Sequence, residues 1–235
     1  MIPISDDNPA RLAPVATWLV SGLCVIVYLW ERSLGREMNA AIFVLGFVPA
    51  SLMMPHAAPN GFVNVPPLAT IFTSMFMHGG VLHLAGNMLY LWIFGNNVED
   101  AMGHARFVLF YLACGAVAAM TLAFIDPASR IPMVGASGAI SGVLAAYVLL
   151  FPRARVTVIV PLGIIFYPFT LSAFWVVSFW FVLQLISASF SNPQQPGVAW
   201  WAHVGGFAAG LLLTPLFKSR AFPIFGRSRP GPWSR

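Results

Sequence analysis

The sequence predicts an all-α, polytopic membrane protein built as a bundle of six transmembrane helices. Hydrophobic residues make up 59% and charged residues only 8% of the 235-residue chain, and the mean hydropathy is +0.81. A soluble domain carries about 25% charged residues, so this composition excludes one. Several apolar stretches reach the roughly 20 residues with which a helix crosses a hydrocarbon core about 30 Å thick. The chain lacks the alternating segments of a membrane barrel, so the spans are expected to be helices.

The six predicted spans are bounded by charge, proline or glycine and lie at 13–30, 82–98, 105–125, 135–151, 170–189 and 200–217. Together they form one membrane domain from 13 to 217. The segment before it, 1–12, is expected to be cytoplasmic. The first span is expected to be retained, because no basic segment or small-residue cleavage site accompanies it. The tail, 218–235, is basic, and its Pro-, Gly-, Ser- and Arg-rich part after Pro223 is predicted to be disordered.

A long outer loop, 31–81, is expected between the first two spans. Its stretch from Ala40 to Met54 is apolar, but it is only about 15 residues long and contains Pro49. An interfacial or re-entrant element is therefore favoured over a seventh span.

The basic residues predict the orientation of the bundle. If the N-terminus is cytoplasmic, nine of the 12 Lys and Arg residues lie inside and three lie outside, as the positive-inside rule requires, and both termini are cytoplasmic. The inner residues are Arg11, Arg106, Arg153, Arg155, Lys218, Arg220, Arg227, Arg229 and Arg235, and the outer ones are Arg32, Arg36 and Arg130. Because these residues are scattered at helix ends, the net charge of +5 does not indicate a nucleic-acid partner.

Polar side chains inside spans are costly and usually functional, so the few present here are candidate site residues. They are His83, Asn87, Ser137, Ser141, Gln184 and His203. Ser137, His203 and His83 lie 16, 15 and 16 residues from the cytoplasmic charges that end their spans. At a rise of about 1.5 Å per residue, all three lie about 23 Å above the cytoplasmic boundary and within roughly 10 Å of the outer face of the hydrocarbon core. The sequence thus predicts one layer that holds a serine and two histidines.

The fourth span begins near Gly135, after a loop that contains Asp126, Pro127 and Pro132. Ser137 is therefore expected beside a helix N-terminus. Backbone N–H groups without helical partners favour an oxyanion there, which is what acyl transfer requires.

Small residues predict a close approach of the fourth and sixth spans. Gly138 and Gly142 on one helix and Gly206 and Gly210 on the other leave room for the two backbones to meet. The last two glycines follow His203 at i+3 and i+7, so the histidine lies on the glycine face and can reach a partner across it.

The same residues also have a purely structural interpretation. The run from Gly135 to Gly142 suits a packing face whose serines bond their own i−4 carbonyls, and Asn87 or Gln184 could simply bridge helices. The shared depth of the serine and the two histidines favours a functional site over this interpretation.

Three motifs in order carry a resemblance. They are Gly135-Ala136-Ser137-Gly138 on the fourth span, Ala202-His203-Val204-Gly205-Gly206 on the sixth and His83-Leu84-Ala85-Gly86-Asn87 on the second. These match the patterns G-x-S-G, A-H-x-x-G and H-x-x-x-N of the rhomboid intramembrane proteases, which this chain resembles from its first span to its sixth. Each motif alone is weak, but the three together are specific.

The resemblance implies an intramembrane serine endopeptidase whose six-helix bundle opens to the outer side, expected in a bacterial inner membrane. Transmembrane protein substrates would enter laterally from the lipids around the bundle and be cleaved near the outer face of the bilayer. Ser137 would attack the scissile carbonyl, His203 would act as the general base, and an acyl-enzyme would then be hydrolysed. His83, Asn87 and the Ser137 backbone N–H would form the oxyanion hole. His78 would give structural support.

A Ser–His dyad is predicted, because all seven acidic residues fall in loops or at helix ends. Many members of the family carry an aromatic residue four positions after the nucleophile, packed against the catalytic histidine, where this chain has Ser141. His203 is therefore expected to be held by Phe207, by Trp201 or by a hydrogen bond from Ser141.

The residue types argue against other intramembrane chemistries. A metalloprotease needs H-E-x-x-H and an aspartyl protease needs two acids within spans, and the sequence has neither pattern. Zinc on His83 and His203 would lack further ligands, and Cys24 and Cys114 are expected to pack, so no metal and no cofactor is predicted. No internal repeat indicates a transporter. The remaining alternative is a non-catalytic rhomboid-like protein that binds membrane helices.

Overall fold

The structure, a computed structural model, describes residues 1–54, 65–162, 165–191 and 197–226. Its helices are α1 Val15–Ser33, α2 Met38–Leu45, α3 Pro49–Met53, α4 Pro67–Thr73, α5 Val81–Tyr90, α6 Asn96–Met102, α7 His104–Ile125, α8 Ser137–Leu150, α9 Ala173–Phe190 and α10 Trp200–Phe217. A π-helical segment, Leu91–Gly95, joins α5 to α6, so that one continuous helix runs from 81 to 102. The strands are β1 Ile2–Asp6, β2 Arg155–Leu162 and β3 Ile165–Ser172.

Within these residues, the four helices α1, α7, α9 and α10 are each long and apolar enough to cross a membrane. The continuous helix 81–102 qualifies together with the segment 67–76, to which it is bent by 81°, and α8 is a shorter apolar helix. These features confirm the prediction of a helical, multi-pass membrane protein. Each of the six predicted spans overlaps one of these helices, with ends that differ by a few residues.

The helix α8 lies at the centre of the bundle. Every residue from Gly138 to Tyr147 is buried, and the helix packs against both α7 and α10. A helix that is apolar on all sides is suited to such a position. Because α8 begins only at Ser137, this serine is placed on its first turn.

The N-terminus of α1 is capped by a carboxylate from a neighbouring helix. The helix follows Pro14 and has no side-chain cap of its own. Glu99 of α6 is completely buried, and its oxygens accept hydrogen bonds from the backbone N–H groups of Ala16 and Thr17, both at 2.8 Å. A carboxylate at this point satisfies donors that lack helical partners and is favoured by the helix dipole. Glu99 therefore fixes α1 against the helix 81–102.

A three-stranded antiparallel sheet forms where α8 ends and α9 begins, and the prediction of an all-α chain missed it. The central strand β2 pairs with β1 through Ile2↔Ile159 and Asp6↔Val156, and with β3 through Arg155↔Ser172 and Val160↔Tyr167. Val156 and Val158 are fully buried on one face of the sheet, as the two-residue period of a strand dictates. Because β3 leads directly into α9, this helix begins at Ala173 rather than at residue 170.

Asp6 fixes β1 to the helices. Its carboxylate accepts hydrogen bonds from the Tyr147 hydroxyl of α8 and from the Asn97 side-chain amide, the latter at 3.1 Å. Burial raises the pKa of Asp6 from 3.8 to about 6, and the bond from Tyr147 opposes this rise only in part. Because the folded-state pKa lies above the unfolded one, folding favours the protonated carboxyl. Stability is therefore lowest above about pH 6 and increases as the pH falls toward 4.

The variant Asp6→Asn should remove this pH dependence. We expect the unfolding temperature of the wild type to rise between pH 7 and pH 5, with at most about 1.4 kcal/mol of stabilisation from this carboxyl over that interval, whereas the variant should show a flatter profile. Thermal unfolding in detergent at both pH values measures the difference, with the exposed Glu37→Gln as a control. An equal rise in the wild type and in Asp6→Asn would mean that another group causes it.

The outer loop contains the short helices α2 and α3 where an interfacial or re-entrant element is predicted, and its relation to the membrane surface stays a prediction. The backbones of Phe47 and Met133 form an isolated antiparallel bridge with N···O distances of 2.9 and 2.8 Å. This bridge ties the loop to the segment that precedes Ser137. Residues 55–64 of the loop, and the predicted disorder of the tail beyond Gly226, lie outside the described residues.

Candidate active site

Three of the predicted site residues line one cavity, at the end of α8 that lies away from the sheet. The cavity has a volume of about 520 Å³ and is bordered by Ser137 of α8, His203 of α10 and His83 of α5. Much of the remaining lining is small and apolar, including Gly115, Ala118, Gly138, Ala139 and Ala202. The structure thus brings together the residues that the depth estimate placed in one layer.

Ser137 and His203 are hydrogen bonded to each other. Ser137 Oγ lies 2.8 Å from His203 Nε2. As the first residue of α8, Ser137 stands where backbone N–H groups lack intrahelical acceptors. His203 is 7% exposed, so little water competes for its ring nitrogens. A hydroxyl bonded to an imidazole nitrogen is the arrangement of a nucleophile with its general base.

Glycines allow α8 and α10 to approach closely enough for this bond. A Cβ atom at Gly206 would overlap the carbonyl oxygen of Gly138, and one at Gly210 would overlap that of Gly142. Backbone therefore lies against backbone at both levels, which only glycine permits. His203 lies three residues before Gly206, on the face that looks toward α8.

The other ring nitrogen of His203 is bonded to Gln184 of α9. His203 Nδ1 lies 2.8 Å from Gln184 Oε1. The ring also lies beside Trp180 and Trp200, with centroid distances of 6.1 and 6.0 Å. From the sequence, Gln184 is predicted only to be a polar residue within a span, and its depth in that span is the signal that could have placed it near the site.

The supports that the sequence analysis named for His203 have different contacts. Ser141 Oγ donates to the backbone oxygen of Ser137 at 2.7 Å, which is the i−4 bond of a packing serine, so the predicted hydrogen bond to His203 is wrong. Phe207 stacks on Phe181 of α9 with centroids 4.1 Å apart. Trp201 lines a separate pocket on the loop side of α7 and α10.

His83 and Asn87 converge on Gly135, two residues before the serine. A Cβ atom at Gly135 would lie 2.7 Å from His83 Nε2 and 3.6 Å from Asn87 Nδ2. Within the described part of the protein, Asn87 Nδ2 is a buried donor without a hydrogen-bond partner. Such a donor is available to a negative charge that develops beside Ser137.

The variant Gly135→Ala should lower activity more than Gly103→Ala does. Gly135 has a φ of +124°, and the added methyl group would collide with the His83 imidazole and displace it. We expect the rate of reaction with a serine-directed phosphonate to fall by about 10²-fold. The matched control is Gly103→Ala, which meets a positive φ of +79° but nothing within 4 Å. If both variants react equally fast, the collision with His83 is without effect.

His78 lies next to His83 and is held by a buried acid that the sequence analysis missed. The backbone N–H of His78 lies 3.2 Å from both carboxylate oxygens of Glu31, at the C-terminal end of α1. Both side chains are fully buried. The His78 ring meets the His83 ring edge to face, with centroids 5.2 Å apart. The position of His83 thus depends on packing that extends to α1.

A second opening reaches the serine and the histidine from the side of the bundle. A cavity of about 300 Å³ lies between α5 and α9, where Gly86 and Tyr90 face Trp180 and Gln184. Much of α9 is exposed, including Phe179, Val182 and Leu183. The gap opens toward the surface that lipid would cover.

The two cysteines are not part of this site. Cys24 and Cys114 are both buried and unpaired, and Cys114 fills space against Gly142. Among the described residues, no group of three His, Cys, Asp or Glu side chains is placed to hold a metal ion.

Comparison with known proteins finds one matching family model and several relatives with rhomboid names. Residues 67–220 match the family model described as the rhomboid domain. RHOMBOID-like protein 4 of Arabidopsis thaliana is 32% identical over 160 residues, which cover 68% of this chain and 36% of that protein. The rhomboid protease GluP of Bacillus subtilis is 42% identical over 133 residues, 57% of this chain and 24% of that protein.

The mitochondrial presenilin-associated rhomboid-like protein of Mus musculus is 34% identical over 129 residues, 52% of this chain and 33% of that protein. The chain therefore spans about a quarter to a third of the length of these curated relatives. The similarity concerns the membrane domain, and the activities, substrates and partners of the whole relatives are not transferred by it.

Proposed function

The chain belongs to the rhomboid family, and we propose that it is an intramembrane serine endopeptidase that cleaves transmembrane segments of membrane proteins. The observation that carries the proposal is the hydrogen bond of 2.8 Å between Ser137 Oγ and His203 Nε2, in a cavity that opens to the side of the bundle. The relative from Bacillus subtilis that is named a protease adds support.

In the proposed reaction, Ser137 Oγ attacks the carbonyl carbon of the scissile peptide bond while His203 Nε2 takes the hydroxyl proton. The tetrahedral intermediate collapses as the C–N bond breaks, and His203 gives its proton to the leaving amine. A water molecule then attacks the acyl-enzyme, again with His203 as the base, and releases the new carboxyl group and the free serine.

The oxyanion of each tetrahedral intermediate needs donors that are already in place. Asn87 Nδ2, which has no partner among the described residues, and the N–H of Ser137 at the helix N-terminus are two such groups. His83 would supply a third in the tautomer with its proton on Nε2, the atom that approaches Gly135. Each donor of this kind contributes on the order of 10²–10³ in rate.

The proposed topology has six spans with both termini in the cytoplasm of a bacterial cell, in its inner membrane. The positive-inside asymmetry supports it, since Arg153 and Arg155 lie at the sheet end of α8 and Ser137 lies at the other end. The site then lies toward the outer face. Transmembrane substrates would enter between α5 and α9 from lipid and would have to unwind locally, because the peptide bonds of a helix are already hydrogen bonded.

Reaction with a fluorophosphonate tests the proposal directly. We expect one covalent adduct on the protein in detergent, mapped by mass spectrometry to the peptide that contains Ser137, and no adduct on heat-denatured protein. Reconstituted protein should also cleave a single-span substrate within or next to its transmembrane segment. If no adduct forms under conditions that label a rhomboid protease of known activity, the chain is better explained as a protein that binds helices without cutting them.

A further inference from the structure

We infer that Gln184 is a positioning residue for His203: it holds the imidazole in the tautomer that accepts the serine proton, and it ties this alignment to the position of α9. The inference rests on the proposed function. It adds to the Ser–His pair a neutral third side chain in the place where a soluble serine protease carries an acid.

A neighbouring carbonyl group sets the orientation of the Gln184 amide. Gln184 Nε2 donates to the backbone oxygen of Trp180, one turn earlier in α9, at 3.1 Å. With the amide turned around, its oxygen would face the oxygen of Trp180, and two acceptors would oppose each other. The oxygen of Gln184 must therefore point toward His203.

The orientation of the amide decides the tautomer of the imidazole. Gln184 Oε1 can only accept, so His203 Nδ1, which lies 2.8 Å away, carries a proton. In a neutral imidazole the other nitrogen, Nε2, then presents a lone pair, and this is the atom that faces Ser137 Oγ at 2.8 Å. When the imidazolium forms during the reaction, the bond from Nδ1–H to Gln184 becomes charge-assisted and stronger. Gln184 thus favours both the resting base and its protonated form.

An amide is suited to this position inside a membrane. A carboxylate there would have to be desolvated at high cost, whereas a glutamine with both ends bonded is neutral and satisfied. Gln184 is 5% exposed, and both of its polar atoms have partners. Gln184 therefore supplies the hydrogen-bond acceptor for His203 Nδ1 that an acid supplies in a soluble serine protease.

Gln184 also connects the site to α9, which borders the side opening. The first turn of α9 is anchored to the segment after α8 by the bond from Ala173 N to Ala154 O at 2.8 Å. In its second half the buried residues are Gln184 and Ala188, while Phe190 is 86% exposed. A displacement of this half of α9 from α10 withdraws the amide oxygen from His203. The dyad is consequently aligned when α9 is packed in place.

Three single variants test the role of Gln184. Gln184→Met keeps the side-chain length but removes the acceptor, Gln184→Glu keeps an acceptor, and Ile186→Met changes an exposed neighbour on α9 as the control. We expect the maximal rate of phosphonate labelling to fall by roughly 10- to 100-fold in Gln184→Met, a part of what general-base catalysis contributes, and to recover in part in Gln184→Glu. Ile186→Met should react at the wild-type rate.

The pH profile separates a positioning role from a merely structural one. The pH of half-maximal labelling should move down in Gln184→Met, since the imidazolium loses its acceptor, and should stay closer to the wild-type value in Gln184→Glu, where a protonated carboxyl keeps an acceptor for His203 and a donor for the Trp180 oxygen. His83 and Tyr90, the other titratable side chains that line the two cavities around His203, are present in all the variants and cancel in the comparison. A profile that stays in place in both Gln184 variants, or a wild-type rate in Gln184→Met, would overturn the inference.

A separate pair of variants tests whether the alignment of His203 depends on the position of α9. Ala188 is buried, so Ala188→Leu should crowd the packed face of the second half of α9, displace this half of the helix and slow labelling, and the double variant Gln184→Met/Ala188→Leu should be no slower than the slower single variant. Effects that multiply would show that α9 acts without Gln184.

If the wild type forms no adduct, the proposed function fails. The inference is then decided by thermal unfolding of Gln184→Met, His203→Ala and their double variant, in which additive effects would overturn it.

Discussion

A Ser137→Ala protein should form no fluorophosphonate adduct and should cleave a transmembrane substrate at least about 10⁴-fold more slowly than the wild type. The substitution removes the hydroxyl that lies 2.8 Å from His203 Nε2. Among the described residues this hydroxyl makes one hydrogen bond, so its loss should cost only about 1 kcal/mol of stability. Mass spectrometry of the intact protein and a gel-based cleavage assay in liposomes measure the two effects.

Ser141→Ala is the matched control for this variant. Ser141 lies one turn further along α8, is fully buried, and bonds the carbonyl oxygen of Ser137 rather than His203. We expect it to react at close to the wild-type rate, whereas His203→Ala should lose the reaction together with the base. Labelling that persists in Ser137→Ala, or that disappears only in Ser141→Ala, would mean that the nucleophile is misassigned.

The second large effect is expected from Gly206→Ala. Its new methyl group would overlap the carbonyl oxygen of Gly138, which is backbone and cannot turn aside as a side chain could. The two helices would have to separate, at a cost of about 3 kcal/mol or more. Since Ser137 lies on α8 and His203 on α10, separation would also lengthen the 2.8 Å bond between them. We expect a lowered unfolding temperature together with a loss of labelling of more than about 10²-fold.

Gly22→Ala is the matched control, because it adds the same methyl group at a position where no neighbouring helix backbone is close. Gly22 lies within α1, and a Cβ atom there meets nothing within 4 Å. Alanine is the better helix former by about 1 kcal/mol, so this variant should be as stable as the wild type or slightly more stable, with unchanged labelling. An unfolding temperature of Gly206→Ala equal to that of Gly22→Ala would contradict the close helix packing described above.

Two features could be predicted from sequence position alone. They are the helices and the common depth of Ser137, His203 and His83. Lipid forces each span to be a helix, and a constant rise per residue converts sequence position into depth. The glycines then indicate which helices touch. Residue type and spacing together are sufficient for these features.

The features that were missed depend on rotation about helix axes and on pairing between distant segments. Gln184 was recognised as polar, but its contact with His203 depends on how α9 is turned, which no spacing specifies. Glu31 and Glu99 stand at or near helix ends in the sequence, so they read as solvated charges, although both are fully buried. The sheet needs the register between β1 and β2, and a short alternating run such as Val156–Val160 is weak alone.

The pairing of β1 with β2 also orders events during synthesis. Ile2 pairs with Ile159, so β1 has to wait for a partner that is made roughly 150 residues later, about 8–30 s at ordinary translation rates. The helices α1 to α8 are synthesised during this interval. The sheet can therefore close only after all of these helices have been made. A chain arrested before β2 would instead expose a lone strand edge, which is a substrate for aggregation or for quality-control proteolysis.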